Sequence, residues 1–331
     1  MRLVTPGGSI ASALRAITAA AGLSLLMSGC ASGPVIIPPS EQPLSKESSM
    51  LLGKKGMETN TPIYIRIFKE ESELEIWKAR ADGRFYHFKT YPICNWSGEL
   101  GPKHAQGDKQ APEGFYSISM NQLKPDSSYY LAFNIGFPNA FDRANGRDGK
   151  FLMIHGKCKS AGCYAMTDAL VEEIYALGRD ALRGGQQSIP LHAFPYRMTD
   201  EKLARYKTNK NYAFWKTLKE GYDSFELTRM PPTVAVCERK YVVNVVMPPF
   251  TELDPVGACP RFEKPALTPF AAAPTEQKLA MERVTVKGPK TRGPGNISLP
   301  PADADPIASA IASSASRMPN PEAASALGYR Q

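Results

Sequence analysis

Three alternating stretches follow one another between residues 62 and 91, and they leave little choice of fold class. Pro62–Phe68, Glu73–Lys78 and Arg84–Tyr91 place apolar side chains at every second position, the period of a strand. Asp82-Gly83, between the second and the third, is the dipeptide of a tight hairpin. An antiparallel sheet therefore opens the folded part. Gly114–Ser119, Ser128–Asn134 and Phe151–His155 are further strands, and Ser188–Phe194 is expected at a sheet edge because Pro190 donates no ladder bond. Thr167 caps a helix that puts Leu170, Ile174, Leu177 and Ala181 on one face and stops at Gly184-Gly185. Shorter helices are expected at about 200–208 and 211–220, and a last β element at 240–246. Early strands and later helices give an α+β class, mainly β.

The flanks are of different character. Residues 1–29 carry Arg2, Arg15 and no acid, then an apolar run from Ala16 to Met27 that ends in small residues before Cys30. This is the layout of an export signal, too short to span a bilayer comfortably. A cysteine directly after small residues resembles the lipobox of bacterial lipoproteins, which makes Cys30 the lipid-attachment site. Residues 30–58, with four prolines, are expected to be a linker. From 265 to 331 there are 10 Pro and 14 Ala in 67 residues, too little apolar bulk for a core, so 263–331 is expected to be a disordered tail. Catalytic chemistry falls in 59–200, followed by a helical and β extension over 201–262. The net charge of +8 lacks the aromatic interleaving of nucleic-acid binders, and nucleic acid is not an expected partner.

The chemistry concentrates in 152–168. His155-Gly156 ends a strand, and eight positions past the histidine Cys163 stands in a Ser160-Ala-Gly162-Cys163 turn before the capped helix. A nearby imidazole and a helix N-terminus favour thiolate, the nucleophilic form of cysteine. Amides around Gly162 and Cys163 are candidates for holding a tetrahedral oxyanion. Together these parts suit acyl transfer through a thioester, with no cofactor and no metal. Two other readings stay open. His155, Cys158 and Cys163 with Cys94 are a candidate zinc set of irregular spacing, and Cys158 is a candidate redox partner of Cys163. If Cys30 takes lipid and Cys163 stays free, then Cys94, Cys158, Cys237 and Cys259 remain for two disulfides, with 237–259 closing a plausible loop. His87 is expected in packing or at the surface. His104 is expected in a solvent loop, and His192 carries little information.

His-Gly, a spacer, then Ser-x-Gly-Cys resembles the signature of L,D-transpeptidase catalytic (YkuD-like) domains. The wording is closest to the YafK-type branch: Ser97–Lys103, Gly107–Gly114, Phe133–Asn139, Asp142–Gly146, Cys163–Asp168 and Phe214–Tyr222 all carry it, over about 60–245. The resemblance implies a β-sandwich-like mixed sheet with a helix after the cysteine. It makes Cys163 the nucleophile and His155 its base, with Gly156, Ser160 and Gly162 supporting the turn and the oxyanion. The implied substrate is a peptidoglycan stem peptide, attacked at the carbonyl of the diaminopimelate L-centre. In the YafK-type branch this extends to hydrolysis that frees a peptidoglycan-bound lipoprotein. Implied surroundings are the periplasm of a Gram-negative bacterium, with a lipid anchor to the membrane, more in keeping with the outer one. Ala161 replaces the usual histidine, Tyr164-Ala165 replaces the usual arginine, and the His–Cys spacer is short, which leaves donor specificity open. A non-catalytic tether of wall to membrane is the competing class.

Overall fold

The computed structural model describes residues 36–247, 251, 253–271 and 282–290. The export signal and Cys30 lie outside them. In chain order the elements are α1 (Lys46–Lys54), β1 (Ile63–Phe68), β2 (Glu73–Ala79), β3 (Phe85–Pro92), β4 (Asn95–Trp96), β5 (Gly114–Ile118), β6 (Leu123–Lys124), β7 (Ala132–Asn134), α2 (Ala140–Ala144), β8 (Met153–His155), β9 (Tyr164–Ala165), α3 (Asp168–Arg183), β10 (Ile189–Phe194), α4 (Asp200–Arg205), α5 (Tyr212–Thr228), β11 (Val234–Cys237) and β12 (Lys240–Val243).

Two five-stranded sheets carry the fold, one ordered β3-β2-β1-β10-β5 and the other β4-β9-β8-β7-β6, with β11-β12 as a separate hairpin. The Asp82-Gly83 turn joins β2 to β3 as an antiparallel pair, because Gly83 takes a left-handed φ of 74° at no steric cost. The periodic face of α3 (Val171, Ile174, Leu177, Ala181) packs into a core shared with Ile63, Ile65 and Ile67 of β1 and with Phe133 and Ile154 of the second sheet. Gly178 makes that approach possible, since a Cβ there would lie 2.8 Å from the Phe133 ring.

Alternation in β1 does not mean that one face meets water. Tyr64, Arg66 and Phe68 on its other face are as buried as the isoleucines, because α5 and the hairpin cover them. Arg66 tolerates this by standing opposite Glu75 of β2 and pairing with it at 3.0 Å, while Glu226 of α5 lies 2.7 Å away. Four rings (Phe68, Trp77, Tyr222, Phe225) surround its guanidinium at 4.9–5.2 Å.

The structure differs from three sequence expectations. Ser188–Phe194 is interior, with β10 parallel to β1 and antiparallel to β5. Pro190 is accommodated because the β1 ladder begins one residue later, at Leu191. Ahead of it the Gln186 side-chain amide serves the Ile63 backbone, accepting from its N–H at 2.9 Å and donating to its carbonyl at 2.8 Å. The linker reading of 30–58 fails over 46–54, where Ser45 caps α1 through the Ser48 N–H and Leu52 is buried. Nor are 263–271 and 282–290 a free tail. Phe270 stacks edge-on against Tyr86, and Thr285 bridges to Thr90 beside the edge strand β3. Lys55 and Arg283 fasten that second segment, through the Glu282 carbonyl (3.0 Å) and the Glu75 carboxylate (2.7 Å). Phe270 and Val286 also pack against the core, so these are sparse contacts of mixed character that composition does not reveal.

Candidate active site

β8 and β9 are parallel neighbours in which His155 pairs with Ala165. Because side chains alternate, Cys163, two residues before Ala165, falls on the same sheet face as His155 when the register is extended, with Cα atoms roughly 8 Å apart. The His155 turn is tightly held. Gly156 N–H donates to the Tyr129 carbonyl at 3.0 Å, Met166 N–H to the His155 carbonyl at 2.7 Å, and Lys157 N–H to the Asp168 carboxylate at 2.7 Å. Any Cβ at position 156 would meet that carboxylate at 2.5 Å, so glycine is required there.

The imidazole of His155 is buried against Tyr129, with ring centroids 4.7 Å apart. Its Nδ1 lies 2.7 Å from the Gly156 carbonyl oxygen. A carbonyl only accepts, so Nδ1 carries the proton and Nε2 keeps its lone pair. Burial pushes the ring below its ordinary value of 6.5, outweighing the Gly156 bond that favours the cation. At neutral pH the ring is thus neutral, and among the described residues its Nε2 makes no hydrogen bond.

The Cys163 thiol is half-buried, and it is the free cysteine among the described residues. Its Sγ donates to the Phe151 carbonyl at 3.5 Å. Burial raises the thiol above 9.0, while the Met153 N–H and the Lys103 charge pull the other way. The expected resting thiolate is therefore not what the site favours. The helix N-terminus is too distant to help, because β9 separates Cys163 from the start of α3 at Asp168. Among the described residues no hydrogen bond joins Cys163 to the His155 ring in this state.

Ser160 locks the turn by accepting from Gly162 N–H (3.3 Å) and Cys163 N–H (3.1 Å) and donating to the Cys163 carbonyl (2.7 Å). The two amides anticipated for an oxyanion are thus engaged by the Ser160 hydroxyl. A disulfide joins Cys94 to Cys158, with Cα atoms 5.4 Å apart, so neither sulfur is a thiolate ligand for zinc or a resolving partner for Cys163. A second joins Cys237 to Cys259. His87 and His192 are buried structural rings, bonded to the Thr90 and Tyr64 hydroxyls, and burial holds each down to about 3. His104 is exposed.

The Cys94–Cys158 bond closes a loop across 64 positions and fastens the turn after His155-Gly156 to the start of β4, the strand that pairs with β9. Closing a loop of that size restrains the unfolded chain by about 4 kcal/mol. Cys94→Ala combined with Cys158→Ala is expected to lower stability by about that much in urea denaturation. Iodoacetamide applied before reduction is expected to label Cys163 alone among the described cysteines.

Sequence reasoning gave no role to the residues that shape the loop beside Gly162. Glu113, fully buried, accepts from Gly101 N–H at 2.7 Å and Trp215 Nε1 at 2.8 Å and pairs with buried Lys69 at 3.0 Å. Lys69 also donates to the Glu99, Gly101 and Ala111 carbonyls. Lys103 pairs with Asp108 in the same loop. The one sequence sign was a lone carboxylate between Pro112 and Gly114 at a strand start.

The chain is 48% identical over 225 residues to "Putative L,D-transpeptidase YafK" of Escherichia coli K12, an alignment that covers 67% of this chain and 88% of that one. The protein of the same name from E. coli O157:H7 matches equally. No protein-family model matches. Among solved structures, the helical cell shape determining protein Pgp2 of Campylobacter jejuni overlaps 57% of this chain and 79% of its own, at 17% identity and a TM-score of 0.33. Bd1075 of Bdellovibrio bacteriovorus overlaps 51% and 64%, at 19% identity and a TM-score of 0.29.

Proposed function

This chain belongs to the YafK family of L,D-transpeptidases, and on that premise we propose that it is a cysteine acyltransferase acting on peptidoglycan stem peptides in the cell envelope. What supports the reading is the tautomer of His155: Nδ1–H is spent on the Gly156 carbonyl, and Nε2 is left basic at the end of β8, the neighbour of the strand that follows Cys163. Thiol and imidazole both start neutral. As the sulfur attacks the L-centre carbonyl of diaminopimelate, its proton passes to Nε2 and a C–S bond forms. The peptide C–N bond to the following residue then breaks, and the imidazolium returns the proton to the departing amine. An incoming amine gives a cross-link, whereas water gives a trimmed stem or a released lipoprotein. For Gly162 and Cys163 N–H to hold the oxyanion, the Ser160 hydroxyl must turn away from them as substrate binds.

Tyr164 favours the hydrolytic branch of this chemistry. Where the wider family carries an arginine after the cysteine, this residue is fully buried with its hydroxyl on the Pro112 carbonyl, and it offers no cation to a carboxylate. Incubating the purified protein with sacculi and analysing soluble and insoluble muropeptides by mass spectrometry tests both. New cross-links through the L-centre indicate transfer, and shortened stems or freed lipoprotein indicate hydrolysis. An unchanged profile with an alkylatable Cys163 would leave the tether. The lipid anchor at Cys30 and an outer-membrane position are part of the same proposal, tested by metabolic labelling with a palmitate analogue and its loss in Cys30→Ala.

A further inference from the structure

Phe151 stands two residues before β8 and is the residue whose carbonyl receives the Cys163 thiol. Its φ is +58°, in the left-handed region where a bulky side chain is a genuine outlier. Glycine would adopt that conformation freely, so the sequence places an ill-suited residue at a strained position. The ring gains nothing from the protein in return. It is 71% exposed, while Leu152 and Ile154 beside it are buried, and it stacks on no other ring among the described residues.

The strain is held in place from outside. Asp148 N–H donates to the His104 carbonyl, Gln106 N–H donates to the Asp148 carboxylate at 2.7 Å, and Lys150 N–H donates to Gln106 Oε1 at 2.7 Å. Three bonds thus brace 148–150 against the 104–110 loop. Lys109, whose backbone lies 3.7 Å from where a Cβ on Gly162 would stand, is also at positive φ, as are Lys157 and Cys158 in the turn after His155. Strain of this kind persists where surrounding structure imposes it, and it clusters at ligand-contacting sites. With its carbonyl oxygen 3.5 Å from Sγ, the Phe151 Cα lies within roughly 6 Å of the sulfur. The side chain therefore starts within reach of a peptide that acylates that sulfur.

We infer that Phe151 is a substrate-contacting residue that packs its exposed ring against the methylene chain of the residue whose carbonyl Cys163 attacks. The inference rests on the acyl-transfer reading and gives that site its specificity element. An apolar ring beside the nucleophile selects an acyl donor with a long aliphatic stem over one with a short side chain, and it makes no demand on the glycan.

The test is steady-state turnover of a sugar-free synthetic stem tetrapeptide with diaminopimelate at its third position, by wild type, Phe151→Ala, Phe151→Gly and Phe151→Tyr, with the iodoacetamide labelling rate of Cys163 measured on each. Alanine and glycine are expected to lower kcat/KM about ten-fold, mostly through KM, and tyrosine to keep the wild-type value. Labelling rates are expected to stay equal throughout. Alanine and glycine keep the backbone carbonyl but differ in strain, so equal losses in both point to the ring. Wild-type turnover matched within two-fold by Phe151→Ala overturns the inference alone, and so does a labelling rate that falls in step with turnover. A loss seen on a sugar-bearing muropeptide but not on the free peptide assigns the ring to the glycan and also overturns it. Wild type that labels normally yet turns over no stem peptide removes the acyl-transfer reading and this inference with it.

Discussion

Cys163→Ala is expected to lower kcat for stem-peptide turnover by at least about 10⁴-fold and to leave the fold in place. The sulfur forms the covalent bond, and nothing else in the 160–163 turn is a nucleophile of comparable strength, since the Ser160 hydroxyl is engaged with the Cys163 carbonyl. Structurally the thiol contributes little. It is half-buried and donates one long bond, to the Phe151 carbonyl. A loss of about 1 kcal/mol, or roughly 3 °C in Tm, is the scale for such a site. The pH profile of the wild type carries a further sign. The base works only when unprotonated, and burial holds His155 below 6.5, so the acid limb of kcat/KM is expected below pH 6.5. Burial raises the thiol above 9.0, so the alkaline limb falls above pH 9. A broad plateau between them marks a neutral thiol–imidazole pair. An acid limb set by a thiol that titrates well below the usual thiol range, with labelling that persists down to that pH, marks instead a preformed thiolate–imidazolium pair and contradicts the neutral resting state.

What was legible in the sequence is what is local. Asp82-Gly83 specifies the β2–β3 hairpin within a few residues, and the 3.6-residue period of Leu170, Ile174, Leu177 and Ala181 specifies α3 in the same way. His155 and Cys163 stand close enough in sequence for turn chemistry to announce them. Long-range partners were not legible. Nothing near Arg66 shows that Glu226, 160 positions on, will cover it, so the alternation of β1 gives no sign that both of its faces are buried. Pro190 pointed to an edge because the Gln186 amide that serves Ile63 cannot be seen from the sequence. The Ser-x-Gly-Cys turn was recognised, yet the use of its amides was not, since that depends on the rotamer of one hydroxyl. Polar composition hid α1 and the 282–290 segment, which reach the core through a few apolar side chains (Leu51 and Leu52 of α1, Val286 of the segment) and add backbone bridges and ion pairs.

The second large effect concerns Glu75, which is expected to cost about 3–5 kcal/mol when changed to glutamine, lowering Tm by about 10 °C. Its carboxylate, fully buried, meets Arg66 at 3.0 Å, Arg197 at 2.8 Å, Arg283 at 2.7 Å and Trp77 Nε1 at 2.8 Å. Glutamine keeps the shape, removes the charge and turns an amide donor toward guanidinium donors. Arg66 is then left to Glu226, and Arg197 to Glu73. Exposed pairs provide the contrast: Arg183→Ala, which breaks the bridge to Glu41, is expected to cost below about 1 kcal/mol. The acid response separates charge from shape. Burial by itself raises the Glu75 carboxyl, but Arg66, Arg197 and Arg283 outweigh it and hold the group well below its ordinary 4.5. The unfolded chain therefore takes up this proton first as pH falls. The stabilisation is complete above pH 4.5 and drains below it at up to about 1.4 kcal/mol per pH unit. The stability gap between wild type and Glu75→Gln should narrow below pH 4.5 in urea melts, and a gap that stays constant would mean that shape, not charge, sets the cost. Below the melting temperature of the variant, Cys163 labelling should match wild type. The network clamps α5 and the 282–290 segment to the first sheet, and none of its ion pairs involves the 160–163 turn.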